Sequence, residues 1–149
     1  RWVAEGHNNS LDIFKKELNI LKKIQNLNSV PKLISFDIEN KIMKMSYCGQ
    51  SLYDNFNLPK DWRIQITNIF NELTNNGIFY PEFRLQNILV LDEKITFVDY
   101  GLAEFKDLAD NTNNLNNFIK YLDVLNVKLS EVVERNDKLQ YTDNKGSML

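Results

Sequence analysis

The chain has 149 residues, 43% hydrophobic and 26% charged, a composition typical of one soluble globular domain with a sizeable core. Its formal net charge of −2 gives no global field that would favour nucleic acid or an anionic membrane, and no apolar run is long enough to span a bilayer. The single cysteine, Cys48, excludes an internal disulfide, offers no metal cluster and fits a reducing, intracellular (cytoplasmic) compartment.

The first predicted element is an amphipathic helix. Ser10 is a suitable N-cap for a helix that runs to about Asn26. Three- and four-residue spacing places a set of apolar residues on one face: Leu11, Phe14, Leu18, Leu21 and Ile24. Glu17 lies within this stripe, and taken alone it is interpreted as a solvated helix residue.

Two strands are predicted next. The first opens at Val30-Pro31 and runs through Phe36, residues 37–41 make the turn, and the second strand runs from Ile42 to Tyr47. The following segment, Tyr47 to Leu52, reads by itself as the end of a strand and a glycine turn.

A second helix follows Pro59 and runs to about Asn75, with Gly77 as its stop. One face carries its large apolar residues: Trp62, Ile66, Ile69, Phe70 and Leu73. This pattern is typical of a core helix that supports a site without contributing to it.

A β-hairpin with polar ends comes after this helix. Two apolar runs, Ile88–Leu91 and Ile95–Val98, flank a polar turn. The polar residues at the hairpin ends are Glu82, Arg84 and Asn87 before the first strand, and Asp99 with Gly101 after the second. Because an antiparallel pair brings its outer ends together, we expect these groups to converge. Two carboxylates and an amide oxygen there could hold a hard cation such as Mg²⁺.

The last predicted helix is preceded by a loop or cap at residues 111–114. Its continuous apolar stripe consists of Leu115, Phe118, Ile119, Leu122, Leu125, Leu129, Val132 and Val133. The tail from Asn136 onward is polar and is predicted to fray.

The stretch Tyr80-Pro-Glu-Phe-Arg-Leu-Gln-Asn87, the strand pair and Asp99-Tyr100-Gly101 together resemble the catalytic core of protein kinases. The family pattern H-R-D-L-K-x-x-N, then two strands, then D-F-G, falls on them without gaps. The resemblance covers about residues 10 to 105 and implies an α+β, truncated protein kinase-like fold with a small antiparallel sheet and a helical lobe. On this basis a single domain comprises an N-lobe remnant (1–47), a reduced C-lobe (48–135) and a frayed tail (136–149).

The resemblance also implies roles for the loop residues. Asn87 and Asp99 stand at the positions that hold Mg²⁺ and, through it, ATP. Arg84 stands where the family's loop lysine touches the transferring phosphate. Glu82 stands where the catalytic base should be, but its extra methylene moves the carboxylate by roughly an ångström. A displacement of that size can cost about a hundredfold in rate.

Three further residues are assigned to the nucleotide pocket by the same resemblance. Glu17 stands for the helix glutamate that pairs with a lysine on the preceding strand. Met45 stands at the gatekeeper position at the back of the pocket, and Tyr47 begins the hinge, where adenine would bond to backbone groups.

The upstream region departs from the family. The residues before the first helix include Arg1-Trp2-Val3-Ala4-Glu5-Gly6-His7. No lysine follows Val3-Ala4, and a single Gly6 cannot form a phosphate-cradling loop. No A-P-E motif follows Ala103.

Three functions from different classes are compatible with these residues. The first is a pseudokinase-like module that binds ATP with Mg²⁺, has weak or lost phosphotransfer and acts through protein partners. The second is a minimal active kinase, a transferase acting on Ser/Thr or on a small hydroxyl compound, in which Lys15 or Lys16 replaces the missing lysine. The third is a structural subunit with a relict site.

Overall fold

The computed structural model describes residues 10–81 and 83–146. The helices are α1 (Ser10–Lys23), α2 (Trp62–Asn75) and α3 (Thr112–Gly146). The strands are β1 (Leu33–Asp37), β2 (Ile42–Met45), β3 (Gln50–Ser51), β4 (Ile78–Phe79), β5 (Ile88–Leu91), β6 (Lys94–Phe97) and β7 (Glu104–Phe105). They form small antiparallel sheets with the orders β1-β2, β3-β5-β6 and β4-β7. The α+β class predicted from the sequence is confirmed.

The chain divides into two compact units, residues 1–115 and 116–149. The first unit contains α1, α2 and the strands. The second unit is, in its described part, the continuation of α3.

Helix α1 forms where the apolar spacing predicts it. Its stripe is buried at Phe14, Leu18, Leu21 and, just beyond the last turn, Ile24. Ser10 lies inside the first turn, where its hydroxyl accepts a hydrogen bond from Lys41 Nζ at 2.8 Å. Terminal turns are held by few hydrogen bonds, so the helix ends at Lys23, a few residues before the predicted end.

Helix α2 buries the whole of its predicted face, namely Trp62, Ile66, Ile69, Phe70 and Leu73. Gly77 follows with a φ of +70°, a left-handed conformation that glycine adopts without steric cost and that ends a helix. The ring of Phe70 stands edge-on to Phe97 of β6, with centroids 5.4 Å apart. The helix therefore packs on the hairpin strand that leads to Asp99.

The predicted hairpin is β5–β6, in the register Ile88 to Phe97 and Leu91 to Lys94. Asp92 and Glu93 form its turn with φ values of +50° and +66°, which is the two-residue turn that matches the twist of the strands. Gln65 of α2 clamps this turn: its amide nitrogen donates to the Glu93 carbonyl at 2.7 Å, and its amide oxygen accepts the Ile95 N–H at 2.8 Å.

We expect Glu93→Gly to raise the free energy of unfolding by about 0.5–1 kcal/mol. Glu93 occupies the left-handed region, which costs a residue with a Cβ roughly 1–2 kcal/mol, and glycine removes this cost at a smaller entropic penalty. The Gln65 contact persists because it uses the backbone carbonyl. Urea unfolding measures the change, and Lys94→Gly in the neighbouring strand should have the opposite sign. Destabilisation by both would show that the turn is not strained.

The β1–β2 hairpin forms a two-stranded sheet of its own. Its register shifts between Leu33 and Ser35, so Ile34 is bulged out and is 68% exposed. β2 ends at Met45, before the predicted limit at Tyr47. The Ser46 N–H still donates to the Lys32 carbonyl at 2.8 Å, but the Lys32 N–H donates to Ser46 Oγ at 2.8 Å and so makes no return bond to the Ser46 carbonyl.

Helix α3 is longer than its predicted apolar stripe. The helix continues to Gly146, through most of the tail that is predicted to fray from Asn136 onward. Once a helix is nucleated, each added residue gains a hydrogen bond, and this segment contains no proline to stop it.

No helix in the described part of the chain combines the length and the apolar character that crossing a lipid bilayer requires.

Candidate functional site

Two small sheets bring the predicted site segments together. Residues 80–87 connect β4 to β5, and residues 98–103 connect β6 to β7. β4 pairs with β7 through Ile78–Phe105 and Phe79–Glu104, and β5 pairs with β6. Both segments are therefore anchored to each other at both ends. The β4–β7 pair is the part that sequence reasoning missed, since a two-residue strand has no measurable periodicity.

Asn87 lies at the end of the 80–87 segment, directly before β5. It closes the 3₁₀ turn Leu85–Asn87, in which its N–H donates to the Arg84 carbonyl at 2.9 Å. Its own carbonyl accepts the Val98 N–H at 2.9 Å. The backbones of Asn87 and of the residue before Asp99 are thus directly hydrogen-bonded, which is the convergence expected of the hairpin ends.

Asp99 has an unusual backbone for a residue with a side chain. Its φ is +63°. Among residues 10–81 and 83–146, the other positive-φ residues that carry a side chain are Lys41, Asp92 and Glu93, and they lie in hairpin turns, where this conformation is required. Asp99 instead follows β6, and its Oδ1 accepts the Gly101 N–H at 3.2 Å. A left-handed residue at the end of a strand is a form of stored strain that often accompanies a functional position.

Arg84 is extended and exposed at the start of the 3₁₀ turn. The turn is held from the other side by the segment after β3, because the Tyr53 N–H donates to the Leu85 carbonyl at 3.3 Å and the Leu52 N–H to the Ile88 carbonyl at 2.9 Å. Glu82, assigned to the position of the base, lies outside the described residues. The roles of Arg84 and Glu82 stay predictions.

An aromatic cluster packs the two segments against α2 and β6. It consists of Phe70, Tyr80, Phe97 and Tyr100. The Tyr80 ring contacts the other three at centroid distances of 5.4 to 6.3 Å. Its hydroxyl donates to the Val98 carbonyl at 2.9 Å. Tyr80 therefore fixes the residue immediately before Asp99, and its ring is fully packed while doing so.

Glu17 connects α1 to the same segment. Its side chain is only 4% exposed, so its interpretation as a solvated helix residue is wrong. Its Oε1 accepts the backbone N–H of Tyr100 at 3.2 Å, because a carboxylate removed from water needs hydrogen-bond donors. Tyr100 adjoins Asp99, so Asp99 is flanked by two fixed residues, Val98 held by Tyr80 and Tyr100 held by Glu17.

Asn111 is a site-supporting residue that the sequence analysis treated only as part of a loop or cap. It is 2% exposed. Its Oδ1 accepts the Tyr80 N–H at 2.9 Å, and its Nδ2 donates to Thr74 Oγ1 and to the Ile78 carbonyl, each at 2.9 Å. One side chain thus joins α2, β4 and the start of the 80–87 segment. The local sequence carried no signal for this, since all three partners are more than thirty residues away.

The predicted hinge lies close against β5. Gly49 has a φ of +102°, and a Cβ placed on it would lie 2.0 Å from the Val90 carbonyl oxygen, so only glycine allows this approach. Met45 ends β2 opposite Leu33, and Tyr47 is 74% exposed. Their assignment to a nucleotide pocket stays a prediction.

Tyr47 borders a cavity of about 330 Å³. The cavity is lined by Asn28, Val30, Lys32, Ser46, Tyr47, Cys48, Leu91, Asp92, Lys94 and Thr96. Its lining includes the turn end of the β5–β6 hairpin, whereas Asn87 and Asp99 lie at the other end. This cavity is therefore distinct from the hairpin end that carries the two predicted metal ligands.

The oxygen donors of Asn87 and Asp99 suit Mg²⁺ only if a further ligand, such as a phosphate, completes its coordination. The described residues include no group of three or more His, Cys, Asp or Glu side chains able to hold a metal ion. Asn87 and Asp99 supply an amide and a carboxylate oxygen. Mg²⁺ is commonly bound by one or two carboxylates together with substrate phosphates and waters, so the pair fits a cation that arrives with a phosphate ligand.

Tyr100 carries a buried hydroxyl under the site. Its side chain is fully buried, and the hydroxyl has no hydrogen-bond partner in the described part of the chain. Burial, with a smaller contribution from the charge of Glu72, raises the pKa of Tyr100 well above its usual value.

We expect Tyr100→Phe to raise the free energy of unfolding by about 1 kcal/mol near pH 8, because it removes an unsatisfied buried group without changing the ring. The gain should grow above pH 10. An unfolded tyrosine ionises near that pH, while buried Tyr100 keeps its proton. The wild type therefore loses up to about 1.4 kcal/mol per pH unit through this residue as the pH rises, and the variant does not.

Urea unfolding at pH 8, 10 and 11 measures both effects. Tyr53→Phe serves as the control, because Tyr53 is 66% exposed and its replacement should leave stability unchanged. A loss of stability in Tyr100→Phe at pH 8 would show that the hydroxyl makes a stabilising hydrogen bond.

The arrangement of these elements, an α+β chain with small antiparallel sheets, is consistent with a truncated kinase-like fold. The chain is 28% identical over 102 residues to KEOPS complex subunit Bud32 of Pyrococcus abyssi (strain GE5 / Orsay). The matched part covers 64% of this chain and 46% of Bud32, so the chain spans less than half the length of that relative. No protein-family model matches the chain. The distant, partial similarity to Bud32 supports the kinase-like interpretation.

Proposed function

We propose that the chain is a kinase-like module that binds ATP together with Mg²⁺, transfers phosphoryl groups slowly or not at all, and acts through protein partners. In this proposal Asn87 and Asp99 hold the cation, Glu17 and Tyr80 position the Asp99 segment, and Arg84 lies near the terminal phosphate. Bound Mg²⁺ would neutralise charge on the phosphate oxygens.

The observation that carries the proposal is the hydrogen bond from Val98 N–H to the Asn87 carbonyl. It brings the ends of the two segments into contact where one amide and one carboxylate side chain begin. The left-handed backbone of Asp99 and the buried Glu17 acceptor on Tyr100 support it, because both restrict where the Asp99 carboxylate can lie.

We propose slow phosphoryl transfer because two of the groups that position the phosphates in the kinase family are changed in this chain. Phosphoryl transfer depends on positioning and charge stabilisation. No lysine follows Val3-Ala4, and a glutamate, Glu82, stands where the family has an aspartate. Both changes weaken catalysis more than they weaken binding of a metal–nucleotide complex.

A role in a protein assembly is supported by the similarity to Bud32, which is itself named as a subunit of the KEOPS complex. We therefore propose that a protein partner, and not catalysis alone, supplies the biological output of the chain.

Thermal unfolding with ATP and Mg²⁺ tests nucleotide binding. A ligand present at a hundred times its Kd stabilises the folded state by about 2.7 kcal/mol, which raises the Tm of a chain of this size by roughly 5–10 °C. ATP with EDTA should give a much smaller shift. An unchanged Tm at millimolar ATP and Mg²⁺ would contradict the proposal and favour a relict site.

Transfer from γ-labelled ATP to a generic Ser/Thr substrate measures activity separately. We expect a rate at least about a hundredfold below that of an ordinary kinase, whose kcat is about 1–100 s⁻¹. Transfer within that ordinary range, abolished in Asp99→Asn, would establish an active enzyme.

A further inference from the structure

Helix α3 carries an apolar stripe that is covered only along its first turns. Phe118 and Leu122 are fully buried. Farther along the same stripe Leu129, Val132 and Val133 are 41%, 49% and 58% exposed. We call Leu129 and Val132, together with the half-buried Leu125, the α3 seam, which Val133 borders. Tyr121, Val124 and Val127 of α3 are also 46% to 56% exposed but lie off this line. The seam is therefore marked by the alignment of its apolar residues along one face and not by exposure alone.

The spacing of the stripe identifies the kind of partner. Its residues recur at alternating intervals of three and four: Leu115, Phe118, Leu122, Leu125, Leu129 and Val132. The same intervals continue in the sequence at Asn136 and Leu139. A repeat of 3.5 residues keeps the apolar positions facing a second helix along the whole length of a pair, whereas a helix on a flat core follows 3.6. The seam is therefore suited to one α-helix.

The charges beside the seam are of one sign. Lys128 and Arg135, seven residues apart, occupy the position that borders the seam on one side, and both are exposed. The corresponding positions on the other side hold Asn126 and Val133, which are uncharged. Asp123 and Glu134 lie away from the seam. Glu131, three residues after Lys128 and four before Arg135, lies next to both on the side away from the seam.

We propose that the α3 seam docks one amphipathic helix of a different protein, whose apolar stripe is bordered by carboxylates. Carboxylates seven residues apart, or about 10.5 Å along the partner helix, would meet Lys128 and Arg135. A second copy of this chain does not supply them. In an antiparallel self-pair the two basic borders face each other, and in a parallel one each basic residue faces an uncharged position.

The proposal goes beyond the nucleotide site and does not depend on it. The seam belongs to the second compact unit, residues 116–149, and the predicted metal ligands belong to the first. Loss of nucleotide binding would leave helix docking intact, and loss of docking would leave the ATP-dependent Tm shift intact.

Two synthetic 21-residue helical peptides test the proposal against the full chain. They share a leucine and isoleucine heptad stripe and differ only in the bordering residues, which are glutamate in one and lysine in the other. Fluorescence anisotropy should show the acidic peptide binding at least about tenfold tighter at low salt, since two attractive pairs replace two repulsive ones. Equal affinity for the two peptides, or no binding of either, would overturn the proposal.

Matched variants locate the surface. Leu129→Gln with Val132→Gln should abolish binding, and the exposure of both residues means that folding is retained, as circular dichroism would verify. Lys128→Glu with Arg135→Glu should reverse the preference toward the basic peptide, an effect that misfolding cannot produce. Glu134→Gln on the far face should change affinity by less than about twofold. A self-dimer in sedimentation equilibrium that is lost in the Leu129→Gln/Val132→Gln variant would reject the proposal in favour of a second copy.

Discussion

Replacing Asn111 with alanine is expected to lower the free energy of unfolding by about 3–4 kcal/mol. The side chain is 2% exposed and makes three hydrogen bonds at 2.9 Å. Alanine would leave the Tyr80 N–H and the Ile78 carbonyl buried without these partners, and each such group costs about 1–3 kcal/mol. Urea unfolding followed by tryptophan fluorescence measures the loss.

Two variants separate this cause from general disruption. Asn111→Asp keeps the acceptor for the Tyr80 N–H but loses both donors, so its loss of stability should be intermediate. Asn113→Ala, at an exposed position in the first turn of α3, should change stability by less than about 0.5 kcal/mol. A loss below 1 kcal/mol in Asn111→Ala would mean that water replaces the side chain and that the 80–87 segment does not depend on it.

Asp99→Asn should remove the Mg²⁺-dependent stabilisation by ATP, a loss of about 2.7 kcal/mol at a hundredfold excess of ligand over Kd. Without ATP, the free energy of unfolding should stay within about 1 kcal/mol of the wild type. Asparagine tolerates the left-handed conformation found at this position, and its amide oxygen can still accept the Gly101 N–H. The variant therefore removes the negative charge and keeps the shape of the side chain.

Asp92→Asn is the matched control. Asp92 is also an aspartate with positive φ, but it lies in the turn at the opposite end of the hairpin. Its ATP-dependent shift should equal that of the wild type. If Asp99→Asn kept its full shift, the nucleotide would have to bind without the carboxylate, and the metal assignment would fail.

The elements that could be predicted are those whose pattern is local. The buried face of α2 follows from the spacing of Trp62, Ile66, Ile69, Phe70 and Leu73, because a helix repeats every 3.6 residues. The β5–β6 hairpin follows from two short apolar runs that flank a polar turn. Convergence of Asn87 and Val98 then follows from antiparallel geometry alone.

The features that could not be predicted are long-range. The partner of Glu17 is a backbone N–H in a distant segment, and no feature of α1 indicates it. The β4–β7 pair is too short to show alternation, and Asn111 differs in no local way from the other asparagines near it. Nearly every residue type has the same backbone N–H and C=O groups, so a contact to the backbone cannot be predicted from a sequence pattern.

The hydrogen bond between Glu17 and Tyr100 also constrains how the chain can fold. Its two residues are separated by 83 positions, so α1 emerges from the ribosome long before its acceptor finds a donor. Closing so large a loop is entropically costly and slow compared with forming a helix or a hairpin. The buried carboxylate should therefore be among the last groups to lose its hydration, and nascent α1 should depend on chaperones until the segment that contains Tyr100 has been synthesised.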